Sequence, residues 1–236
     1  MEQKKKKENI IVNLLLTIAI PTLILTKLTD KLGVELALGL ALSFPLGYGI
    51  YDFIQSKKIN FIAALGFINV LLTGTFTLLK TRDIVDVNAD WYAYKEASVP
   101  LLIGLAILIS LKTSSPLVRK ILYNDEIIDI SKVDNALDDL GNKNSFESLL
   151  VKSSVLLSLS FLVSSILNYV LAKVLLVSPP GSPMFNEELG QMNLYSFPVI
   201  ALPSTIITVF VLWYLLNGLK KMTNLELKDI LKVKEG

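Results

Sequence analysis

The sequence predicts an all-α polytopic membrane protein, a bundle of six transmembrane helices with both termini on the cytoplasmic side. Hydrophobic residues make up 52% of the 236-residue chain, and its mean hydropathy is +0.56. Charged residues make up 19%, below the roughly 25% of a soluble domain. The charges cluster in short stretches and leave apolar runs of about 20 residues, the length that crosses a hydrocarbon core of roughly 30 Å.

A single transmembrane domain is expected to cover residues 1–236. Its six spans are predicted over residues 9–28, 33–54, 59–79, 91–111, 147–177 and 194–218. The basic stretch before the first apolar run would also suit a signal peptide. We interpret the run as a retained anchor, because it is too long for the apolar region of a signal peptide and lacks a small-x-small cleavage site.

The lysines and arginines of the loops set the orientation of these spans. With a cytoplasmic N-terminus, sixteen of them lie in the two terminal tails and the even-numbered loops, and four lie in the other loops. Cytoplasmic loops carry the excess of Lys and Arg in membrane proteins. The distribution therefore predicts a multi-pass protein with the N-terminus and the C-terminus inside.

The large cytoplasmic loop, residues 112–146, is predicted to hold short amphipathic helices. Val133, Leu137 and Leu140 recur there at helical spacing, and a capping pattern begins at Ser131. Such helices would lie on the bilayer surface or against the cytoplasmic ends of the bundle. Docking of a partner protein is the alternative, with packing inside the chain as the favoured interpretation.

The outer loop at 178–193 begins with a proline-rich stretch that cannot be helical. After it, Asn186 is the predicted N-cap of a short helix whose first turn holds Glu187 and Glu188, where carboxylates suit the helix dipole. We expect this short helix to lead into the sixth span.

Composition excludes several classes of function. The chain has no cysteine and no histidine, so disulfides, thiolate or imidazole metal sites and Ser-His-Asp triads are absent. A net charge of +2 without a basic groove pattern does not indicate a nucleic-acid partner. No nucleophile–base pattern or glycine-rich phosphate loop occurs. We therefore expect no enzyme activity, no cofactor and no metal site.

Small residues and a proline mark the second span. Gly39, Ser43 and Gly47 recur every four residues and form a smooth stripe. We interpret the stripe as a helix-packing surface, with a sliding or substrate-facing surface as the alternative. Pro45 removes a backbone donor and kinks the helix, which frees carbonyl groups that can line a site; Tyr48 follows the kink.

Polar stripes run along two other spans. Asn69 and Thr73 share a face of the third span, and the fifth span carries serines and Asn168 at helical spacing. Polar groups that face lipid are costly, so both stripes are expected to point into the bundle. There they either line a hydrophilic cavity or form hydrogen bonds between helices, and the two interpretations have equal weight.

The charges nearest to the interior of the spans are Lys95 and Glu96, about one turn inside the outer end of the fourth span. Glu35 lies at the outer end of the second span and is a possible partner of Lys95 across helices. The alternative is that all three side chains extend to the interface, as long charged side chains often do. Charged residues in membrane spans are the strongest indicators of function, so we retain all three as site candidates.

Four sequence segments carry a resemblance to a known family: Ser43-Phe44-Pro45-Leu46-Gly47-Tyr48-Gly49, Lys95-Glu96-Ala97, Pro116-Leu117-Val118 and Ser196-Phe197-Pro198-Val199-Ile200. They resemble an uncharacterised family of bacterial multi-span membrane proteins over most of the chain. Residues 60–122 are also distantly similar to intracellular septation protein A, an inner-membrane protein associated with envelope integrity and division. The resemblance implies the bacterial inner membrane as the location and supplies no catalytic residues.

Two classes of function remain. The first is a carrier or facilitator for a small solute or lipid. The residues expected along its path are Lys95, Glu96, Asn69, Thr73, Pro45, Gly47, Tyr48 and Glu35. The second is a non-transporting scaffold of the cell envelope or septum. The expected partners are the lipid bilayer and a small solute or lipid ligand, with a homo-oligomer left open and no nucleic acid.

Overall fold

The structure is a computed structural model, which describes residues 15–56, 72–77, 79–80, 84, 86, 88–113, 116–125 and 127–232. The described part is helical, without β-strands, and its one isolated β-bridge pairs Ile128 with Leu231 in antiparallel fashion. The all-α prediction is confirmed for these residues.

The first described segment, residues 15–32, is a helix in which π and α turns alternate, and we call it the N-terminal run. Its π turns are Leu15–Ala19 and Ile24–Leu28, and its α turns are Ile20–Leu23 and Thr29–Leu32. Pro21 has no backbone N–H, so the turn before it cannot make the usual bond from residue i to i−4 and widens. The run ends at Gly33, whose φ of 80° suits glycine.

Eight α-helices follow in the described part of the chain. In chain order they are α1 (Val34–Ser56), α2 (Ala89–Ser110), α3 (Leu117–Ile121), α4 (Ile130–Asp139), α5 (Lys143–Leu175), α6 (Pro183–Ser196), α7 (Leu202–Thr223) and α8 (Leu227–Ile230). A π segment, Phe197–Ala201, joins α6 to α7 without a break. Residues 72–77 and 79–80, between α1 and α2, are also helical.

Four helical stretches of the described residues are long and apolar enough to cross a membrane. They are Val34–Tyr51 within α1, Ala89–Ser110, Lys143–Leu175 and Pro183–Thr223. Four of the predicted spans therefore correspond to apolar helices. The predicted span at 59–79 lies mostly outside the described residues, and the one at 9–28 does so in part.

Two of the described π segments, Leu15–Ala19 and Phe197–Ala201, share a local sequence with the residues that follow them. Ile18-Ala19-Ile20-Pro21 and Ile200-Ala201-Leu202-Pro203 each place a proline two residues after a π turn. The missing proline N–H removes the same backbone hydrogen bond in both places. The two widened turns therefore have a common local cause.

Two helix starts differ from the predictions. Ser182, rather than Asn186, caps α6: its Oγ accepts from the backbone N–H of Phe185 at 3.1 Å, and Pro183 follows in the first turn. Asp129, rather than Ser131, caps α4, accepting from the N–H of Lys132 at 3.2 Å. In both cases the first capping residue in the chain begins the helix, and the predicted cap lies inside it.

The chain forms two compact units. Unit 1 contains residues 1–99 and 167–200, and unit 2 contains residues 100–166 and 201–236. The core of unit 1 joins the N-terminal run, α1, the first half of α2, the end of α5 and α6. Its largest fully buried side chains are Tyr92, Phe185 and Leu38. Because these residues come from distant parts of the sequence, unit 1 depends on long-range packing.

Unit 2 holds the large loop and the end of the chain. The backbone of Asp129 donates to Ile230 at 2.8 Å, and that of Lys232 donates to Ile127 at 3.0 Å, around the β-bridge. Val133 and Leu137 of α4 are buried by the chain itself, whereas Leu140 is exposed. This is the packing inside the chain that the sequence favoured for the amphipathic helix.

Candidate functional site

A cavity of about 240 Å³ lies inside unit 1. Its described wall comes from the N-terminal run, α1, residues 72–77, α2, α5 and α6. The lining residues are Thr17, Pro21, Leu25, Leu38, Ala41, Leu42, Pro45, Thr73, Glu96, Asn168, Leu189, Met192, Asn193 and Ser196. Since one water occupies about 30 Å³ of the liquid, the cavity is comparable in size to about eight waters or one small solute.

The cavity lies along the helices rather than at their ends. Glu96 is seven residues into α2 and Asn168 is seven residues before the end of α5, so each is about 10 Å from that helix end. The start of α2 and the end of α5 lie side by side, as the hydrogen bond from Lys173 of α5 to Asp90 of α2 at 2.5 Å shows. Pro45 is deeper, about 16 Å along α1 from its first residue.

A buried ion pair lies at the cavity wall, with Glu96 in the wall and Lys95 behind it. Lys95 Nζ donates to Glu96 Oε1 at 2.5 Å and also to Thr73 Oγ1. The Lys95 side chain is only 4% exposed and that of Glu96 is 16% exposed. The Lys95 ammonium also lies 6.0 Å from the centre of the Tyr92 ring, within the range of a cation–π contact.

Burial of this pair is energetically costly. Removing a carboxylate or an ammonium from water costs of order several kcal/mol per ion, and mutual attraction offsets the cost only with good geometry and further hydrogen bonds. The Thr73 hydroxyl supplies one such bond to Lys95. Of the described residues that line the cavity, Glu96 is the one with an ionisable side chain. The wall therefore presents one carboxylate, whose charge is balanced by the Lys95 ammonium behind the wall.

Asn193 joins α6 to the N-terminal run at the cavity. Its Nδ2 donates to the backbone oxygen of Ile18 at 3.3 Å and to Thr22 Oγ1 at 3.2 Å. The two helices approach closely because Gly190 has no side chain: a Cβ there would lie 3.2 Å from the Thr22 carbonyl oxygen. Ile18 belongs to the π turn before Pro21, and π turns are frequent at functional sites.

An aromatic cluster closes the core one turn away from the cavity. Tyr92 precedes Glu96 by four residues on α2, and Phe185 precedes Leu189 by four residues on α6. The Tyr92 and Phe185 rings pack edge to face, with centroids 4.8 Å apart, and Phe76 also lies edge to face with Tyr92, with centroids 6.2 Å apart. The Tyr92 hydroxyl is 2.6 Å from that of Thr77, so its polar end is satisfied.

Three of the predicted path residues line the cavity: Pro45, Thr73 and Glu96. Lys95 lies directly behind the wall, where its ammonium contacts both Thr73 and Glu96. Asn69 lies outside the described residues. The other predictions on α1 concern residues that are placed away from the described wall.

The α1 candidates other than Pro45 lie on or near the protein surface. Glu35 is exposed in the first turn, Gly47 is exposed and Tyr48 is half-buried. Apart from its chain neighbours and the backbone of its own helix, nothing described lies within 4 Å of a Cβ built on Gly39 or Gly47. The Ser43 hydroxyl donates to the backbone of its own helix. Helix packing along the Gly39–Ser43–Gly47 stripe therefore stays a prediction.

The polar residues that α6 contributes were not predicted from the sequence. Asn193 and Ser196 line the cavity, yet both were assigned to the boundary of an outer loop and the sixth span. Their spacing of three residues places them on one face of a helix. This spacing indicates a shared polar face if the sixth span is taken to begin before residue 193. Thr17 and Pro21 of the N-terminal run were also missed as wall residues.

A separate groove of about 500 Å³ runs along the N-terminal run and α6 and is open and apolar. It is lined by Leu15, Ile18, Ala19, Leu194, Tyr195, Phe197 and Pro198. In a bilayer, acyl chains fill such a surface without any specific site. The polar cavity is therefore the better candidate for selective binding.

No family model, curated protein or solved structure matches the chain. Function must be argued from the site itself, because one fold supports many functions.

Proposed function

We propose that this protein is a carrier or facilitator that binds a small polar solute in the cavity of unit 1. The observation that carries the proposal is the buried Glu96 carboxylate in the wall of a cavity of about 240 Å³, paired with Lys95 directly behind the wall. Ionisable residues within membrane helices are rare and typically mark substrate pathways. Their position beside Thr73 and Asn168 adds hydrogen-bonding groups that a solute needs in exchange for water.

Two prolines in the helices of the wall give further support. The cavity wall includes Pro21, which follows a π turn, and Pro45, which lies inside α1. Each proline lacks the backbone N–H that would bond a carbonyl of the preceding turn, and such a carbonyl can bind a ligand. The small volume favours a solute over a whole lipid.

The proposal includes the membrane arrangement. Six spans, with the first span at 9–28 and the third at 59–79 added to the four apolar helices, cross a bacterial inner membrane with both termini inside. The excess of Lys and Arg in the even-numbered loops supports this orientation. The scaffold alternative is less well supported, since Val133 and Leu137 of α4 are already buried by the chain and are not available to dock a partner.

Solute-dependent stabilisation of the purified full chain tests the proposal. A small polar solute that binds the folded state raises the unfolding midpoint, and the same solute should cross proteoliposomes faster than empty liposomes. Thr73→Leu, which fills the cavity wall, should abolish both effects. Thr75→Leu is the matched control, because Thr75 lies two residues away and is exposed. Stabilisation and flux that survive Thr73→Leu unchanged would exclude this cavity as the site.

A further inference from the structure

We infer that the cavity selects a small zwitterion, whose ammonium meets Glu96 and whose acidic group meets Lys95. This inference rests on the proposed function and specifies its substrate class. It starts from the charges of the wall: the described lining presents one carboxylate, and one ammonium stands behind it at 2.5 Å.

The net charge of the site argues against ions of a single sign. The Lys95–Glu96 pair is neutral as a unit, and it is buried among membrane helices. A ligand with a net charge would add an uncompensated charge to this region of low dielectric constant, which is costly. A ligand without net charge avoids that cost.

The ion pair also argues against a simple neutral solute. Thr17, Thr73, Asn168, Asn193 and Ser196 would suffice to bind a polyol or an amide by hydrogen bonds. Such a ligand gains no ionic contact from the two buried ions. Their burial lowers the stability of the protein, and only a ligand that pairs with them offsets that cost. A zwitterion replaces the Lys95–Glu96 pair with two ion pairs, one between each of these side chains and the ligand, and the net charge of the site does not change.

The contacts of Lys95 fit this exchange. Its ammonium has three donors, of which one reaches Glu96 and one reaches Thr73 Oγ1. Thr73 itself lines the cavity, so only the Thr73 hydroxyl separates the Lys95 ammonium from the cavity. A rotation of the flexible lysine stem brings the ammonium to the anionic end of a ligand, while Glu96 receives the cationic end.

Four probes of equal shape separate the charge classes. They are β-alanine, a zwitterion; β-alaninamide, a cation; butyrate, an anion; and butyramide, which is neutral. Binding to the purified full chain is measured by calorimetry and by the shift of the unfolding midpoint. We expect β-alanine to bind at least about tenfold more tightly than each of the other three. Equal or tighter binding of the cation or the anion overturns the inference.

Substitutions in the pair should change the preferred charge. Lys95→Met leaves Glu96 alone and should favour β-alaninamide, whereas Glu96→Gln leaves Lys95 alone and should favour butyrate. If a lone buried charge prevents folding, the double variant with both substitutions restores neutrality and should favour butyramide. Thr75→Val serves as the control and should keep the preference for β-alanine. An unchanged preference in the double variant overturns the inference.

The outcome distinguishes the two levels of the proposal. If butyramide binds the wild-type chain as tightly as β-alanine and Thr73→Leu abolishes its binding, the cavity binds solutes but does not select zwitterions. If none of the four probes binds, the zwitterion inference fails, and the liposome flux comparison of Thr73→Leu with Thr75→Leu decides the proposed function separately.

Discussion

Tyr92 and Phe185 pack edge to face at an interplanar angle of 68°, and both side chains are fully buried in unit 1. The contact joins α2 to α6 one turn away from the residues that line the cavity. Leu38 and Leu189 belong to the same buried cluster and also form part of the cavity wall. The stability of unit 1 and the closure of the cavity therefore depend on the same side chains.

The first prediction concerns this aromatic contact. Phe185→Ala should lower the free energy of unfolding by about 3–5 kcal/mol, because it removes a large buried side chain and leaves a cavity. Unfolding of the purified chain in mixed micelles measures the loss. Met184→Ala, at a neighbouring side chain that is 67% exposed, should change it by at most about 0.5 kcal/mol. Similar losses for the two variants would contradict the prediction.

The second prediction concerns the approach of α6 to the N-terminal run. Gly190→Ala should destabilise the protein by about 1–3 kcal/mol, because the new methyl group meets Leu25 Cβ at 3.0 Å and Thr22. Gly39→Ala is the control. Apart from its chain neighbours and the backbone of its own helix, nothing described lies within 4 Å of a Cβ there, and the better helix propensity of alanine should make that variant neutral or up to about 1 kcal/mol more stable. A stabilised Gly190→Ala variant would show that the helices are not in close contact.

The third prediction concerns the end of α5. The Glu188 carboxylate accepts from the N–H groups of Val177 and Ser178, at 3.1 and 3.0 Å, and from the Ser178 hydroxyl at 2.6 Å. Glu188→Ala should remove bonds to a charged acceptor worth about 1.5–3 kcal/mol each locally, so both amides should exchange hydrogen faster. Glu187→Ala should leave them protected. Unchanged protection in the Glu188 variant would refute this role.

The fourth prediction concerns pH and a tyrosine of unit 2. The Tyr123 hydroxyl donates to Asp134 Oδ1 at 2.7 Å, and burial together with this carboxylate raises the pKa of Tyr123 above its usual value. The folded state therefore keeps this proton at a pH where the unfolded chain loses it. The stabilising contribution is complete below about pH 10 and declines above it.

Tyr123→Phe should consequently lower the free energy of unfolding by about 1 kcal/mol near pH 7, through loss of the hydrogen bond. The difference between wild type and variant should narrow above about pH 10. Chemical unfolding of both proteins between about pH 7 and about pH 11, a range that brackets the ordinary tyrosine pKa, measures this difference in the free energy of unfolding. A difference that stays constant over this range would contradict the raised pKa.

The fifth prediction concerns topology. The chain contains no cysteine, so single cysteines can be labelled selectively. Cysteines at Lys143 and Lys220 should react with an impermeant maleimide only from the cytoplasmic side, and those at Asp86 and Met184 only from the opposite side. All four positions are exposed in the structure. Labelling of Lys220→Cys and Met184→Cys from the same side would exclude the proposed arrangement.

The long apolar helices were predictable because their pattern is local. α2 occupies Ala89–Ser110 where residues 91–111 were predicted, since hydropathy alone defines such a segment. The start of α6 was not predictable in this way. Glu187, Glu188 and Gln191 lower the local hydropathy, so the apolar span was predicted only from 194, and the short helix predicted before it was given a cap at Asn186 rather than a start at Pro183. The helix is stabilised instead by burial of Phe185 and Asn186, which depends on distant parts of the chain.

The candidate site shows the same division. Lys95, Glu96 and Thr73 were found because charged and hydroxyl side chains in apolar runs are conspicuous. The proposed partner of Lys95 across helices was Glu35, whereas the contacts seen for Lys95 are with Glu96 and Thr73. Asn193 escaped notice because its significance depends on Ile18, 175 residues away in the sequence. No local pattern carries that information.

The π turn at Ile24–Leu28 has a consequence for tolerance to deletion. A π turn holds one more residue than an α turn. Deletion of exposed Leu28 would convert the widened turn into an ordinary one and leave Thr22 and Thr29 on the faces they now occupy. A deletion in a regular helix would instead rotate everything beyond it by about 100°. We therefore expect the N-terminal run to tolerate the deletion of one residue at Leu28 better than a regular helix tolerates a deletion.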